Sequence, residues 1–170
     1  MHQPSKTLRE VDLSENPVLD NGGRCLGEAV RISCTLTTLV LNSTGMRAQG
    51  VAALLCGVSK SQSIESLDLS TNDVSDDNMM VCSAASLALK GCVTLKTLNL
   101  SMCNISHPAS VAVMGDGVVS STSLCTLVLS HNPFSDAGAK SLAVALEQNS
   151  SVTVLSLSHC RITQVFSKHA

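Results

Sequence analysis

His131 and His159 are the residues whose type and spacing come nearest to a reactive constellation, 28 positions apart in a 170-residue chain. Two imidazoles brought side by side can hold a metal ion or change charge close to their ordinary pKa of about 6.5. Met102 adds a soft sulfur to the same series. No carboxylate or third imidazole falls in register with them, so the pair reads as exposed polar side chains and no metal ligand is assigned. Other candidates carry less. Gly22-Gly23, Gly45-Met46-Arg47 and Gly115-Asp116-Gly117 lack the Gly-Lys-Ser/Thr ending of a phosphate-cradling loop. Serines are abundant, but none sits in the strand–turn–helix context of an activated nucleophile. Asp76-Asp77 are expected in the first turn of a helix, where carboxylates favour the positive end of the dipole. No catalytic residue and no cofactor site is assigned, and the chain reads as a non-enzyme.

The elements that must position these residues come from a pattern that returns six times. Leu8-x-x-Val11-x-Leu13-x-x-Asn16 recurs from Leu36, Ile64, Leu95, Leu124 and Val152, at intervals of 28, 28, 31, 29 and 28 residues. A fixed period of this size belongs to a stacked array whose repeats contact only their neighbours. The alternating leucines put side chains on one face of a short strand. Parallel strands then need a helical return. Val51, Leu54, Leu55 and Val58 recur at helical spacing, as do Ala139, Leu142, Ala143 and Leu146 after Ser135-Asp136, a candidate cap. Ala84, Leu87 and Leu89 are expected on the third helix, with Gly91 as its stop, and Val111, Val113, Met114, Val118 and Val119 on the fourth. Asn42 to Gly45, Asn16-Pro17 and Asn132-Pro133 read as turns that leave a strand.

This motif resembles the leucine-rich repeat family, and its period resembles the ribonuclease-inhibitor-like subclass. The position after each strand reads Asn16, Thr44, Asn72, Cys103, Asn132, Cys160, and Asn, Cys or Thr is what the family puts there. The resemblance spans Leu8 to Ile162. It implies an α/β solenoid over residues 1–170 as a single domain, a curved horseshoe segment with a parallel sheet on the concave side, helices on the convex side, about six strands and five helices. Stacked Asn residues are expected to satisfy buried backbone groups as a ladder.

Composition bounds the rest. Two aromatic residues occur, Phe134 and Phe166, with no Trp or Tyr. Leucine, valine and alanine suffice for a narrow core, so a mean hydropathy of +0.28 needs no membrane. No apolar run reaches the roughly 18 residues of a spanning helix, and no secretory leader is visible. Net charge is −2 with 11 scattered basic residues, which disfavours nucleic acid. Eight cysteines without a C-x-x-C pair read as reduced thiols and place the chain in a reducing, cytoplasmic setting, cytoskeletal and ciliary complexes included.

If the leucines point inward, four columns line the concave face. They are Glu10, Thr38, Ser66, Thr97, Thr126, Val154; then Asp12, Val40, Asp68, Asn99, Val128, Ser156; then Ser14, Asn42, Ser70, Ser101, Ser130, Ser158; and last Glu15, Ser43, Thr71, Met102, His131, His159. Glu10, Asp12, Glu15 and Asp68 make the start acidic, and a protein partner is expected to touch these residues with Asn99, Met102, His131 and His159. The face holds no Trp, Tyr or Arg, the residues that dominate tight interfaces. From Thr97 to Ser135 the only charged residue is Asp116, so the fourth helix is a candidate for cover by a partner. Neither end shows a clear cap, and the array's ends are expected to be covered by neighbouring subunits, by further repeats, or by residues 1–7 and 162–170 with the Val165-Phe166 pair. The leading expectation is therefore a non-catalytic scaffold or subunit of a larger intracellular assembly. The resemblance also implies two alternatives. One is a sensor-array fragment of a nucleotide-binding immune receptor. The other is a Ran-type GTPase activator, for which Asn42, Asn72 or Arg47 would face the partner.

Overall fold

The centre of each leucine motif, x-L-x or in the first x-V-x, forms a three-residue strand. The strands are β1 (Glu10–Asp12), β2 (Thr38–Val40), β3 (Ser66–Asp68), β4 (Thr97–Asn99), β5 (Thr126–Val128) and β6 (Val154–Ser156). Between them run α1 (Leu19–Ile32), α2 (Ala48–Val58), α3 (Asn78–Gly91), α4 (Pro108–Ser120) and α5 (Ser135–Glu147). The computed structural model describes residues 5–163, so Val165 and Phe166 lie outside it. The six strands form one parallel sheet in chain order, and each helix packs on its sequence neighbours. This is the expected α/β solenoid.

The core lies between sheet and helices. Leu39, Leu67, Leu98 and Leu127 at the strand centres, and Leu41, Leu69, Leu100 and Leu129 beyond them, are at most 1% exposed. Each contributes about 1.5–3 kcal/mol by burial. Val51, Leu54, Leu55 and Val58 close one layer from the helix side, all fully buried. The end layers are thinner: Leu8 is 49% exposed, and Val11, Leu155 and Leu157 are half-buried.

Two rows of side chains tie the repeats together, and they alternate. Asn72 is buried, donates from Nδ2 to the carbonyls of Leu41 (2.8 Å) and Leu69 (2.9 Å), and accepts at Oδ1 from the N–H of Thr44 (3.2 Å) and Met46 (3.1 Å). Asn132 does the same one pair of repeats later, donating to Leu100 (2.7 Å) and Leu129 (2.9 Å) and accepting from Cys103 (3.1 Å) and Ile105 (2.9 Å). In the even repeats Thr44, Cys103 and Cys160 donate from Oγ1 or Sγ to a nearby leucine carbonyl. The second row belongs to the odd repeats as well. Asp20 accepts from Arg47 N–H (2.8 Å) and Gly50 N–H (3.0 Å), Asn78 from Ser106 N–H (2.9 Å), and Asp136 from Thr163 N–H (2.6 Å). Each even loop is thus held from the repeat before it, and the loops of repeats 2 and 4 also from the repeat after.

Four details depart from expectation. Leu87 is 55% exposed, because the buried stripe of α3 runs through Val81, Ala84, Ala85, Ala88 and Leu89, and Leu87 falls on the opposite side of that turn. Asp77 precedes α3 as its cap, accepting from Met80 N–H at 2.9 Å, while Asp76 reaches back to Ala48 N–H at 3.3 Å. Ser135-Asp136 supplies no side-chain cap to α5, since Asp136 serves Thr163 instead. Gly91 ends α3 without a left-handed turn; a Cβ there would lie 2.3 Å from the Ser59 carbonyl oxygen, so its role is close approach to the chain beyond α2.

Candidate protein-interaction surface

The strand registers fix the open face of the sheet. Glu10, Thr38, Ser66, Thr97, Thr126 and Val154 are successive pairing partners, and so are Asp12, Val40, Asp68, Asn99, Val128 and Ser156. These side chains alternate with the buried leucines and stand on the face that the helices leave open. Neighbours in a column lie about 4.8 Å apart.

The acidic residues on this face differ in freedom. Asp12 accepts from the hydroxyl and N–H of Ser14, and these bonds hold its carboxyl below the usual range. Asp68 is engaged twice, by Ser70 N–H (2.8 Å) and hydroxyl (2.6 Å) and across the sheet by Asn99 Nδ2 (3.0 Å). Asn99 in turn accepts from Ser101 N–H at 3.0 Å. A D/N-x-S turn therefore recurs at the strand exits and spends part of the acidic charge on the chain's own backbone. The carboxylates of Glu10 and Glu15 are exposed and accept no hydrogen bond among the described residues.

The last column is built differently. Glu15, Ser43, Thr71, Met102, His131 and His159 all take a left-handed backbone, with φ between 56° and 61°. This turn aims the N–H of five of them at a carbonyl of the next repeat, from Glu15 on Asn42 (3.0 Å) to His131 on Ser158 (2.7 Å). The ladder gained there offsets a conformation that costs about 1–2 kcal/mol for a residue with a Cβ. No glycine or asparagine marks these positions, so sequence reasoning placed the column but missed its backbone. His131 and His159 stack with ring centroids 4.5 Å apart and planes 18° from parallel. Met102 is 54% exposed and receives the Thr71 hydroxyl on its sulfur at 4.0 Å. Among the described residues no group of three His, Cys, Asp or Glu side chains converges to hold a metal ion.

Other candidates sit elsewhere. Asn72 is buried and saturated by the ladder, so it cannot face a partner; Arg47 is exposed at the start of α2. The Asp20–Asn78–Asp136 row was missed, although its members stand 58 residues apart and that spacing was available. All eight cysteines are free thiols. Burial pushes Cys82 and Cys103 up to about 12, which leaves both unreactive. On the helix side, α4 and α5 leave a shallow groove of about 440 Å³ lined by Ala112, Val119 and Val144, with Asp116 and Lys140 on its walls. Among the described residues no helix is long and apolar enough to cross a membrane.

Comparison with known proteins agrees with this geometry. The family profile described as Leucine Rich repeat matches six segments, residues 5–27, 33–55, 60–80, 91–108, 120–143 and 148–164. The chain is 30% identical to NACHT, LRR and PYD domains-containing protein 5 of Bos taurus over 162 residues, covering 94% of this chain and 14% of that protein. It is 32% identical to the ribonuclease inhibitor of Mus musculus over 160 residues, covering 92% of this chain and 34% of the inhibitor. It therefore spans about a third of the inhibitor and about a seventh of the larger protein. The tropomodulin C-terminal domain of Caenorhabditis elegans has a similar fold, with a TM-score of 0.63 at 16% identity over 86% of both chains.

Proposed function

This chain belongs to the leucine-rich repeat family, in its ribonuclease-inhibitor-like subclass, and from that premise we propose that residues 1–170 form a single non-catalytic protein-binding domain that serves as a scaffold or subunit of a larger intracellular assembly. The observation that supports this reading is the register-locked open face, where side chains stand in parallel columns over six strands. Such a surface recognises an extended area of a folded partner. Its charge selects the partner's chemistry: Glu10, Asp12, Glu15 and Asp68 cluster at the β1 side and attract a basic segment, while Asn99, Met102, His131 and His159 offer polar and soft contacts further on. The free thiols suit a reducing compartment and a cytoplasmic setting.

The test is cross-linking of the tagged chain in cells that express it, followed by mass spectrometry and affinity measurement with the purified partner. We expect cross-links on the open face and association slowed at least about tenfold by the exposed pair Glu10→Lys and Glu15→Lys, with unchanged melting. Cross-links confined to the helices, or a partner indifferent to the charge reversal, would reject the face. A second reading, the sensor array of a larger nucleotide-binding receptor, is favoured by the likeness to the NACHT, LRR and PYD domains-containing proteins and by the small share of them that this chain spans. Finding these residues on one polypeptide with a nucleotide-binding domain decides for it.

A further inference from the structure

We propose that His131 and His159 form a two-imidazole chelate for a borderline divalent transition-metal ion, zinc(II) above all, with water in the remaining positions. No partner on the open face is needed for it. Both residues leave their strands at the same phase, His131 after β5 and His159 after β6. Their register is fixed by the pairing of Thr126 with Val154 and of Val128 with Ser156. The N–H of His131 donates to the Ser158 carbonyl at 2.7 Å, and the N–H of Ser158 donates to Ser130 Oγ at 3.2 Å. With φ of 61° and 57° the two backbones match, so the side chains leave them in parallel. The pair joins residues 28 apart in sequence and exists only in the folded stack. It sits within two paired strands and is indifferent to what precedes or follows the chain.

The rings stand 4.5 Å apart by centroid and 18° from parallel, so equivalent nitrogens lie side by side at a similar separation. Zinc–nitrogen bonds of about 2.0–2.1 Å in a tetrahedral site place two nitrogens about 3.3 Å apart. Tilting the rings towards each other at their outer edges closes that gap and turns both lone pairs onto one point. Both side chains are exposed, so the core does not resist the tilt. Their nitrogens are also free: neither imidazole makes a hydrogen bond or an ion pair among the described residues. His107 differs, its Nδ1 lying 3.3 Å from Asn78 Oδ1 and 3.4 Å from Ser106 Oγ. The four columns of the face hold no Lys or Arg, so none of their side chains repels a cation. The donors set the class of ion. Neutral imidazole suits zinc and copper(II), whereas calcium and magnesium take oxygen. Met102 is not a ligand, because its sulfur meets the Thr71 hydroxyl on the side away from His131. Two protein ligands leave the other positions to water, and the bound ion stays exchangeable, unlike that of a closed structural site.

Isothermal titration of the 170-residue chain with zinc chloride is the test. We expect a single saturable site, weakened at least about tenfold by either His131→Asn or His159→Asn, since each removes the advantage of a second ligand already in place. Asparagine accepts a left-handed backbone, so both variants should keep the parent melt. His2→Asn, His107→Asn and His169→Asn should bind as the parent does, and calcium chloride should give no heat. In nuclear magnetic resonance, the ring signals of His131 and His159 should move together as zinc is added. In denaturing urea the affinity should be lost, because the two imidazoles then part. A chain that binds no zinc overturns the proposal. So does binding that ignores either of the two variants, that depends on only one of them, or that persists in urea.

Discussion

At the scale of single residues, the Asn ladder does the most with the fewest atoms. Asn72 satisfies two buried N–H groups and two carbonyls, so Asn72→Ala should cost at least about 2 kcal/mol in urea unfolding, as several groups lose their partners together. Asn16→Ala removes only exposed bonds and should stay within about 0.5 kcal/mol. Equal costs at the two sites would mean the ladder is not what holds the loops. The ladder was legible in the sequence, because Asn, Thr and Cys recur at one phase of the period. The left-handed column was not: Glu15, Ser43, Thr71, Met102, His131 and His159 share no residue type that favours that conformation, and only the inter-repeat hydrogen bonds impose it. Asp76, Asp77 and Asp136 were placed near helix starts correctly; Asp77 caps α3 locally, while the bonds of Asp76 and Asp136 cross to other repeats, which no local pattern connects.

At the scale of elements, strand positions and registers followed from the leucine phase, while helix faces followed less well. Leu87 looked like core by composition and is solvent-facing by angle; α3 buries alanines in its place. What brings the helices together is small residues at crossings. A Cβ on Gly57 would stand 2.1 Å from the Gly27 carbonyl oxygen, so Gly57→Ala must push α1 from α2 and should cost about 1–3 kcal/mol. Gly115 meets nothing closer than Ala145 Cβ at 3.4 Å, so Gly115→Ala should be neutral or gain about 0.5–1 kcal/mol from helix propensity. Thermal melts of the two variants check both signs. A destabilised Gly115→Ala would show that α4 and α5 approach more closely than their groove suggests.

At the scale of the whole molecule, stability is a sum over neighbouring layers and is lowest in the first and last of them, where Leu8 is 49% exposed and Leu155 and Leu157 are only half-buried. The open face and the edges are properties of stacking, which is why the sequence showed where they lie and left unread which of their polar groups are already occupied. The alternation of braces has a further consequence, for how such a chain can change length over generations. Because odd repeats hold even loops, the heritable unit is a pair of about 57 residues. Removing residues 64–123 lets Asn132 take over the loop of Thr44, whereas removing residues 64–94 sets Cys103, which has no carboxamide, against the same loop. The pair-deleted chain should fold with a single cooperative melt, and the singly deleted chain, although longer, should melt at lower temperature. Gene duplication and loss in such arrays would then leave survivors mostly in steps of two.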